Sequence, residues 1–145
     1  TGWMLRLNRA AGQLAATFEL NGATDITGFS LLGHGLEMAR ASGVSLRLSY
    51  SQLPFLSCAQ KYASAWAFPG GASDNRLFFG PHVRFAPGID ETAQMLLFDP
   101  QTSGGLLLAV PPQKLPALMA SAAHQNLPLW EIGEVTAGDG IVVEP

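Results

Sequence analysis

Charge is scarce in this chain. Asp, Glu, Lys and Arg make up 13% of its 145 residues, and eleven acidic against eight basic side chains leave a formal net charge of −3. The Lys and Arg residues are scattered, with no basic block and no basic-aromatic interleaving, which argues against nucleic acid as a partner. Cysteine is rarer still. The single Cys58 excludes an internal disulfide and a cysteine-based zinc site, and it suits a reducing compartment, so the cytoplasm is the expected location. No apolar run approaches the roughly 20 residues of a membrane span, and no basic stretch leads into a hydrophobic signal core. An initiator Met is missing too. TGWMLRLNRAAGQLAATFEL runs almost at once into a helical pattern, so a piece of a longer protein is expected.

What the chain has is apolar substance: 48% hydrophobic residues, enough for one sizeable core in a single domain of this length. Leu5, Ala11, Leu14, Ala15 and Phe18 recur at helical steps and predict a first helix ended by Asn21-Gly22. Leu32, Leu36 and Ala39 predict a second, stopped at Ser42-Gly43, where glycine suits a left-handed cap. From Val44 to Tyr50 the period switches to two, as in a half-buried strand. Residues 54–68 read as a third helix whose apolar face includes Phe55, Tyr62 and Trp66, with PGGASDN ending it in a surface loop. A short strand at Val83-Arg84-Phe85, a short helix over 90–98, a strand over 105–110 buried on both faces and a last helix over 113–125 follow. Residues 130–135 and 141–143 predict two closing strands joined by Ala137-Gly138-Asp139-Gly140. Helices alternating with strands of both kinds point to a mixed sheet covered by helices, in the α/β or α+β class.

Two stretches can carry chemistry. In ATDITGF, Asp25 stands between two hydroxyls just before a helix, so it is either a helix cap or a ligand for something positive. Thr24, Thr27 and Ser30 offer further oxygens and Gly28 allows close backbone approach, yet one Asp would be only part of a Mg²⁺ site. In DPQTSGG, residues 99–105, paired glycines allow either an anion-binding nest or a tight turn between two buried segments. It lacks the lysine of a Walker A loop. His34, His82 and His124 show neither ligand spacing nor a paired carboxylate and read as packing or surface residues. Cys58 reads as a buried small side chain, and Phe55, Tyr62, Trp66 and Phe68 as core filling. No nucleophile and no catalytic residue stand out.

ATDITGFSLLGHGLEMARASGV, followed at the right distance by LLFDPQTSGGLLLAV, closely resembles the C-terminal domain of the selenophosphate synthetases, the selenide, water dikinases. The likeness runs from LNRAAG through PGGASDN and FGPHVRF to the closing IGEV. It implies an α+β fold of three α/β/α layers, a mixed sheet flanked by helices as in aminoimidazole ribonucleotide (AIR) synthetase C-terminal domains, with partial ferredoxin-like topology. It implies an ATP- and Mg²⁺-dependent parent that makes selenophosphate, AMP and phosphate from selenide, ATP and water. The parent would be a homodimer whose N-terminal ATP-binding domain, absent from this chain, brings the reactive Cys or selenocysteine, the catalytic Lys and most metal-binding aspartates. Carried over residue by residue, the family's metal-binding aspartate falls on Asp25, and this chain alone is expected to be inactive. Two departures stand out: Ser30 replaces the usual glycine, and Ala72 with Ser73 and Asp74 replace a threonine and basic residues, which puts any phosphate contact of that loop in question. The resemblance assigns no role to His34 or to residues 99–105. Other readings are a sister ATP-using enzyme, of the hydrogenase maturation or AIR synthetase type, and a non-catalytic binding module on the same fold.

Overall fold

The computed structural model describes residues 2–145, in the order α1 (Arg9–Thr17), β1 (Gly22–Asp25), α2 (Ser30–Ser42), β2 (Ser45–Ser49), α3 (Ala59–Ser64), α4 (Gly70–Phe79), β3 (Val83–Phe85), α5 (Glu91–Leu97), β4 (Leu106–Ala109), α6 (Leu115–His124), β5 (Gly133–Thr136) and β6 (Ile141–Glu144). The strands form a four-stranded mixed sheet of order β3-β6-β2-β5 and an antiparallel pair, β1-β4. In the larger sheet β2 and β3 run parallel to β6, and β5 antiparallel to β2. The class is the expected one, α+β with a mixed sheet flanked by helices.

Register assigns the two faces of the larger sheet. Val83, Ile141 and Leu46 line up across three strands, as do Phe85, Val143 and Leu48, while Arg84, Val142, Arg47 and Glu134 form the row that points the other way. The first two rows join Leu32, Leu36, Ala39, Phe79, Leu97 and Phe98 in the main core, so α2, α4 and α5 share that face. The opposite face is polar, with Arg47 bridging Glu134 at 2.9 Å and Glu144 at 3.6 Å. A smaller core of Leu14, Leu118 and Ala122 joins α1 to α6, with Val110 packed against it beyond β4.

Several expectations change. The closing strands are not neighbours, because β2 lies between β5 and β6. Inserted between β2 and β3, Ile141 and Val143 are 1% and 0% exposed, a burial that the edge of a hairpin could not give them. Strand β4 is half-buried along its length rather than sealed on both faces, since β1 is its one sheet neighbour. The predicted third helix shrinks to α3, and PGGASDN starts α4 instead of ending anything. Pro69, extended at φ −69° and ψ 155°, is a helix-start residue here, and Gly71 passes so near Pro100 that a β-carbon would sit 3.3 Å from its ring. Ala72 is fully buried.

Helix ends explain other misplacements. Trp66 at φ 55° stops α3, donating to the Ala63 carbonyl while Ala67 donates to Tyr62, and Glu19 and Asn126 do the same after α1 and α6. Only α2 uses glycine for this left-handed stop, as expected at Gly43. A stop made by Trp or Glu carries no sequence signature, which is why the glycine-based ends fell too late. Trp66 and Tyr62 are 53% and 55% exposed instead of filling the core, and Cys58 is exposed as well.

Candidate functional site

Asp25 ends β1, opposite Leu106 of β4. Past it the chain remains tied to the 99–105 loop: Ile26 donates to the Gly105 carbonyl at 2.9 Å, Gly104 donates to Ile26 at 3.0 Å and Gln101 donates to Thr27 at 3.0 Å. The approach needs glycine at 104, where a β-carbon would lie 2.3 Å from the Ile26 carbonyl oxygen. Gly105 has open space, and neither glycine holds a positive φ, so close approach rather than backbone handedness sets the constraint. The loop is therefore a turn pinned to the Asp25 segment. From α4, buried Asn75 donates through Nδ2 to the Gly28 carbonyl at 2.9 Å and to the Phe98 carbonyl at 3.0 Å. Three stretches separated in sequence, ATDITGF, PGGASDN and FDPQTSGG, thus meet at one place.

The Asp25 carboxylate is exposed and makes no hydrogen bond or ion pair among the described residues. The helix-cap reading falls. Helix α2 starts five residues later, its capping position is Phe29, and it has no side-chain cap. Ser30 is fully buried at φ 66°, a left-handed conformation that costs a residue with a β-carbon about 1–2 kcal/mol. The turn holds a serine in a conformation that glycine adopts without strain.

His34 does have a carboxylate beside it, contrary to the sequence reading. Its Nδ1 lies 3.3 Å from Glu37 Oε2 one turn along α2, and its Nε2 is 2.9 Å from Thr27 Oγ1. Asp99 is half-buried, and burial pushes its carboxyl above the usual carboxylate range while a 2.9 Å bond donated by Gln101 Nε2 pulls the other way. Sequence reasoning missed Asn75 because PGGASDN looked like a surface loop; it missed Glu37 although an acid three residues after a histidine on a helix is a readable signal.

No group of three or more His, Cys, Asp and Glu able to hold a metal ion occurs among the described residues. What the Asp25 turn offers is oxygen chemistry: one free carboxylate, backbone carbonyls and the Thr27 hydroxyl. Mg²⁺ takes oxygen ligands, uses one or two protein carboxylates and keeps several waters, so the turn fits one edge of such a site and not a whole one.

The described residues form an α+β domain with one exposed, unpartnered carboxylate on the turn after β1 and no metal-holding cluster. Residues 1–144 match the model of the AIR synthase related proteins, C-terminal domain, and the chain belongs to that family. It is 42% identical over 133 residues to the selenide, water dikinase of Nitratidesulfovibrio vulgaris (strain Miyazaki F), covering 92% of this chain and 38% of that protein. The selenide, water dikinase of Rhizobium meliloti (strain 1021) is 44% identical, with 91% and 38% covered. A solved thiamine-monophosphate kinase from Stenotrophomonas maltophilia superposes with a TM-score of 0.63 at 19% identity, over 92% of this chain and 34% of its own. These values bear out the selenophosphate synthetase resemblance, and the chain spans about two fifths of the length of the curated relatives it matches. No helix is long and apolar enough to cross a membrane among the described residues.

Proposed function

We infer that this chain is the C-terminal domain of a cytoplasmic, ATP-dependent selenide, water dikinase that makes selenophosphate, AMP and phosphate from selenide, ATP and water, and that Asp25 supplies one carboxylate to the Mg²⁺ on the ATP phosphates. The observation that carries the reading is the free Asp25 carboxylate at the meeting point of the three motif stretches. The names of the sequence relatives support the substrate. When bound, Mg²⁺ neutralises phosphate charge, which is the main service a phosphoryl-transfer site needs. This chain's own residues position that service: the β1-β4 ladder fixes the backbone before Asp25, Asn75 and Gly104 fix it after, and the Asp25 carboxylate stands exposed. The nucleophile, the lysine and the other metal ligands belong to an N-terminal domain of the same polypeptide, so the present chain is inactive alone and the whole protein works as a homodimer.

Asp25→Asn in the whole protein tests this. The change keeps the side chain's shape and removes its charge, so melting should stay within about 1–2 °C because an exposed, unpartnered group contributes little stability. Selenide-dependent AMP formation should fall at least about a hundredfold, the scale of losing one electrostatic stabiliser of a transferring group. A wild-type rate in the folded variant refutes the assignment of Asp25. Wild-type protein that forms AMP without any dependence on selenide refutes the substrate.

A further inference from the structure

Helix α4 buries one stripe and leaves the opposite one bare. Ala72, Asn75 and Phe79 face inward at helical spacing, which turns Leu77 and Phe78 outward, and these two are 82% and 71% exposed. The apolar surface continues on both sides of them. Phe78 meets Phe79 edge-on at 4.9 Å between centroids, Phe79 lies 5.8 Å from Phe29, and Phe29 is itself 51% exposed. Leu77 borders an open groove of about 540 Å³ walled by Trp66 and Phe68, whose rings meet at 5.5 Å. Arg76, the one basic side chain of α4, is taken up by Glu91 at 2.7 Å, so apart from Ser73 and Asp74 the helix presents apolar surface outward. Exposed apolar residues scattered singly need no explanation, whereas a contiguous patch marks a contact. Its place is defined by helix geometry. Gly71, Asn75 and Phe78 share one side of α4; Gly71 passes Pro100 and Asn75 holds the Gly28 carbonyl, so Phe78 continues the side of the helix that faces the Asp25 turn, to which Phe29 belongs.

We propose that Phe29, Leu77 and Phe78 form the surface on which the preceding part of the parent polypeptide docks, through an apolar face of its own. This docking rests on the reading of Asp25 as one ligand of a shared cation. Oxygen ligands of Mg²⁺ stand about 2.0–2.1 Å from the ion, so a domain that supplies the remaining ligands has to come close to Asp25 and then lies over Phe29, four residues on. The chain spans 38% of the length of each of the two selenide, water dikinases, which leaves ample polypeptide to cover the patch. Desolvating Leu77 and Phe78 would hold the two parts together, and the turn between them would carry the chemistry.

Hydroxyl-radical footprinting of the whole protein and of the 145-residue chain measures this surface side chain by side chain and without ligand. Leu77 and Phe78 should be oxidised about fivefold more slowly in the whole protein, as expected when side chains more than 70% exposed enter the dry core of an interface, and Phe29 should change in the same direction. Equal rates for Leu77 and Phe78 in the two proteins overturn the proposal. Protection already present in the 145-residue chain, and growing with its concentration, assigns the surface to a second copy and overturns it as well. Leu77→Ser combined with Phe78→Ser should leave the melting of the 145-residue chain within about 2 °C, since both side chains are exposed there, and in the whole protein should return Phe29 to the oxidation rate of the 145-residue chain. A Phe29 that stays protected in that variant shows that α4 does not hold the contact. Asp25→Asn separates the two readings. Protected Leu77 and Phe78 with a wild-type rate of AMP formation in Asp25→Asn keep the docking surface and remove the metal role, whereas unprotected side chains with an impaired Asp25→Asn overturn the docking alone.

Discussion

Replacing Gly104 with alanine places a β-carbon 2.3 Å from the Ile26 carbonyl oxygen and 2.9 Å from the Ile26 β-carbon, distances at which backbone has to move. The nearest escape is to lift the 99–105 loop off the Asp25 segment. That movement strains three backbone hydrogen bonds, Gly104 to Ile26, Ile26 to Gly105 and Gln101 to Thr27. At about 1 kcal/mol net for each bond lost, the cost is roughly 2–4 kcal/mol, which for a chain of this length lowers the melting temperature by roughly 6–12 °C. Gly105 is the internal control. Its β-carbon would meet nothing within 4 Å, so Gly105→Ala should stay within about 0.5 kcal/mol of wild type. Thermal unfolding of the three 145-residue chains, followed by far-ultraviolet circular dichroism, makes the comparison without any ligand. A Gly104→Ala chain that melts within about 2 °C of wild type refutes the close-approach argument, and with it the reading of this loop as a turn rather than a phosphate nest.

Asn75→Ala removes the donor shared by the Gly28 and Phe98 carbonyls at a buried position and should cost roughly 2–4 kcal/mol, measured by denaturant unfolding; a loss below about 1 kcal/mol would show that water replaces the amide without penalty. Ser30→Gly relieves a left-handed β-carbon residue at φ 66° and gives up only a 3.5 Å contact with the Gly33 amide, so after glycine's entropic cost it should gain about 0.5–1 kcal/mol. An unchanged or lower melting temperature would contradict that. For Asp99 the folded-state carboxyl is raised by burial, so its contribution to stability is fully present below the unfolded carboxylate range and is lost as pH rises through the raised value. Asp99→Asn should therefore be more stable than wild type at pH 7 and lose that advantage as the pH falls into the acid range; a difference between the two that does not change with pH refutes it.

Where local chemistry decides a boundary, the sequence was readable. Asp90 caps α5 by accepting the Ala93 amide at 2.8 Å, Gly43 stops α2, and the period-two run over 44–50 is β2 with Leu46 and Leu48 inward. Where the deciding contact lies far away, it was not. The run over 141–143 is legible as a strand, but its place between β2 and β3 depends on bonds such as Ser45 Oγ donating to the Gly140 carbonyl across 95 residues. Strand β1 was hidden because four residues, GATD, carry no alternation of their own and pair with β4 from 81 residues away. The site divides in the same way. ATDITGF and DPQTSGG could each be singled out alone, whereas Asn75, which ties the Gly28 turn to the start of the 99–105 loop, sat in a stretch whose Pro-Gly-Gly looked like an ending.

The proposed ligand role of Asp25 can be set against the other aspartates of the chain. Both precede a helix in the sequence, yet Asp90 spends its carboxylate on the first turn of α5 and Asp99 takes a donor from Gln101, so each is satisfied by its own fold. Asp74 and Asp139 are also exposed, Asp74 on α4 beside Asn75 and Asp139 in the 137–140 turn, where Ser45 Oγ donates to the Gly140 carbonyl. Asp25 differs from Asp90 and Asp99 in having no partner for its carboxylate among the described residues. Its backbone is fixed from several directions, by the β1-β4 ladder before it and by Asn75, Gly104 and the Thr27–His34 contact after it, while its side chain is held by nothing. A rigid main chain under a free carboxylate is costly if the residue only fills surface, since Ser30 remains in a strained conformation to complete the turn. In the proposed site the ion then has only the Asp25 side chain to order and not the main chain beneath it.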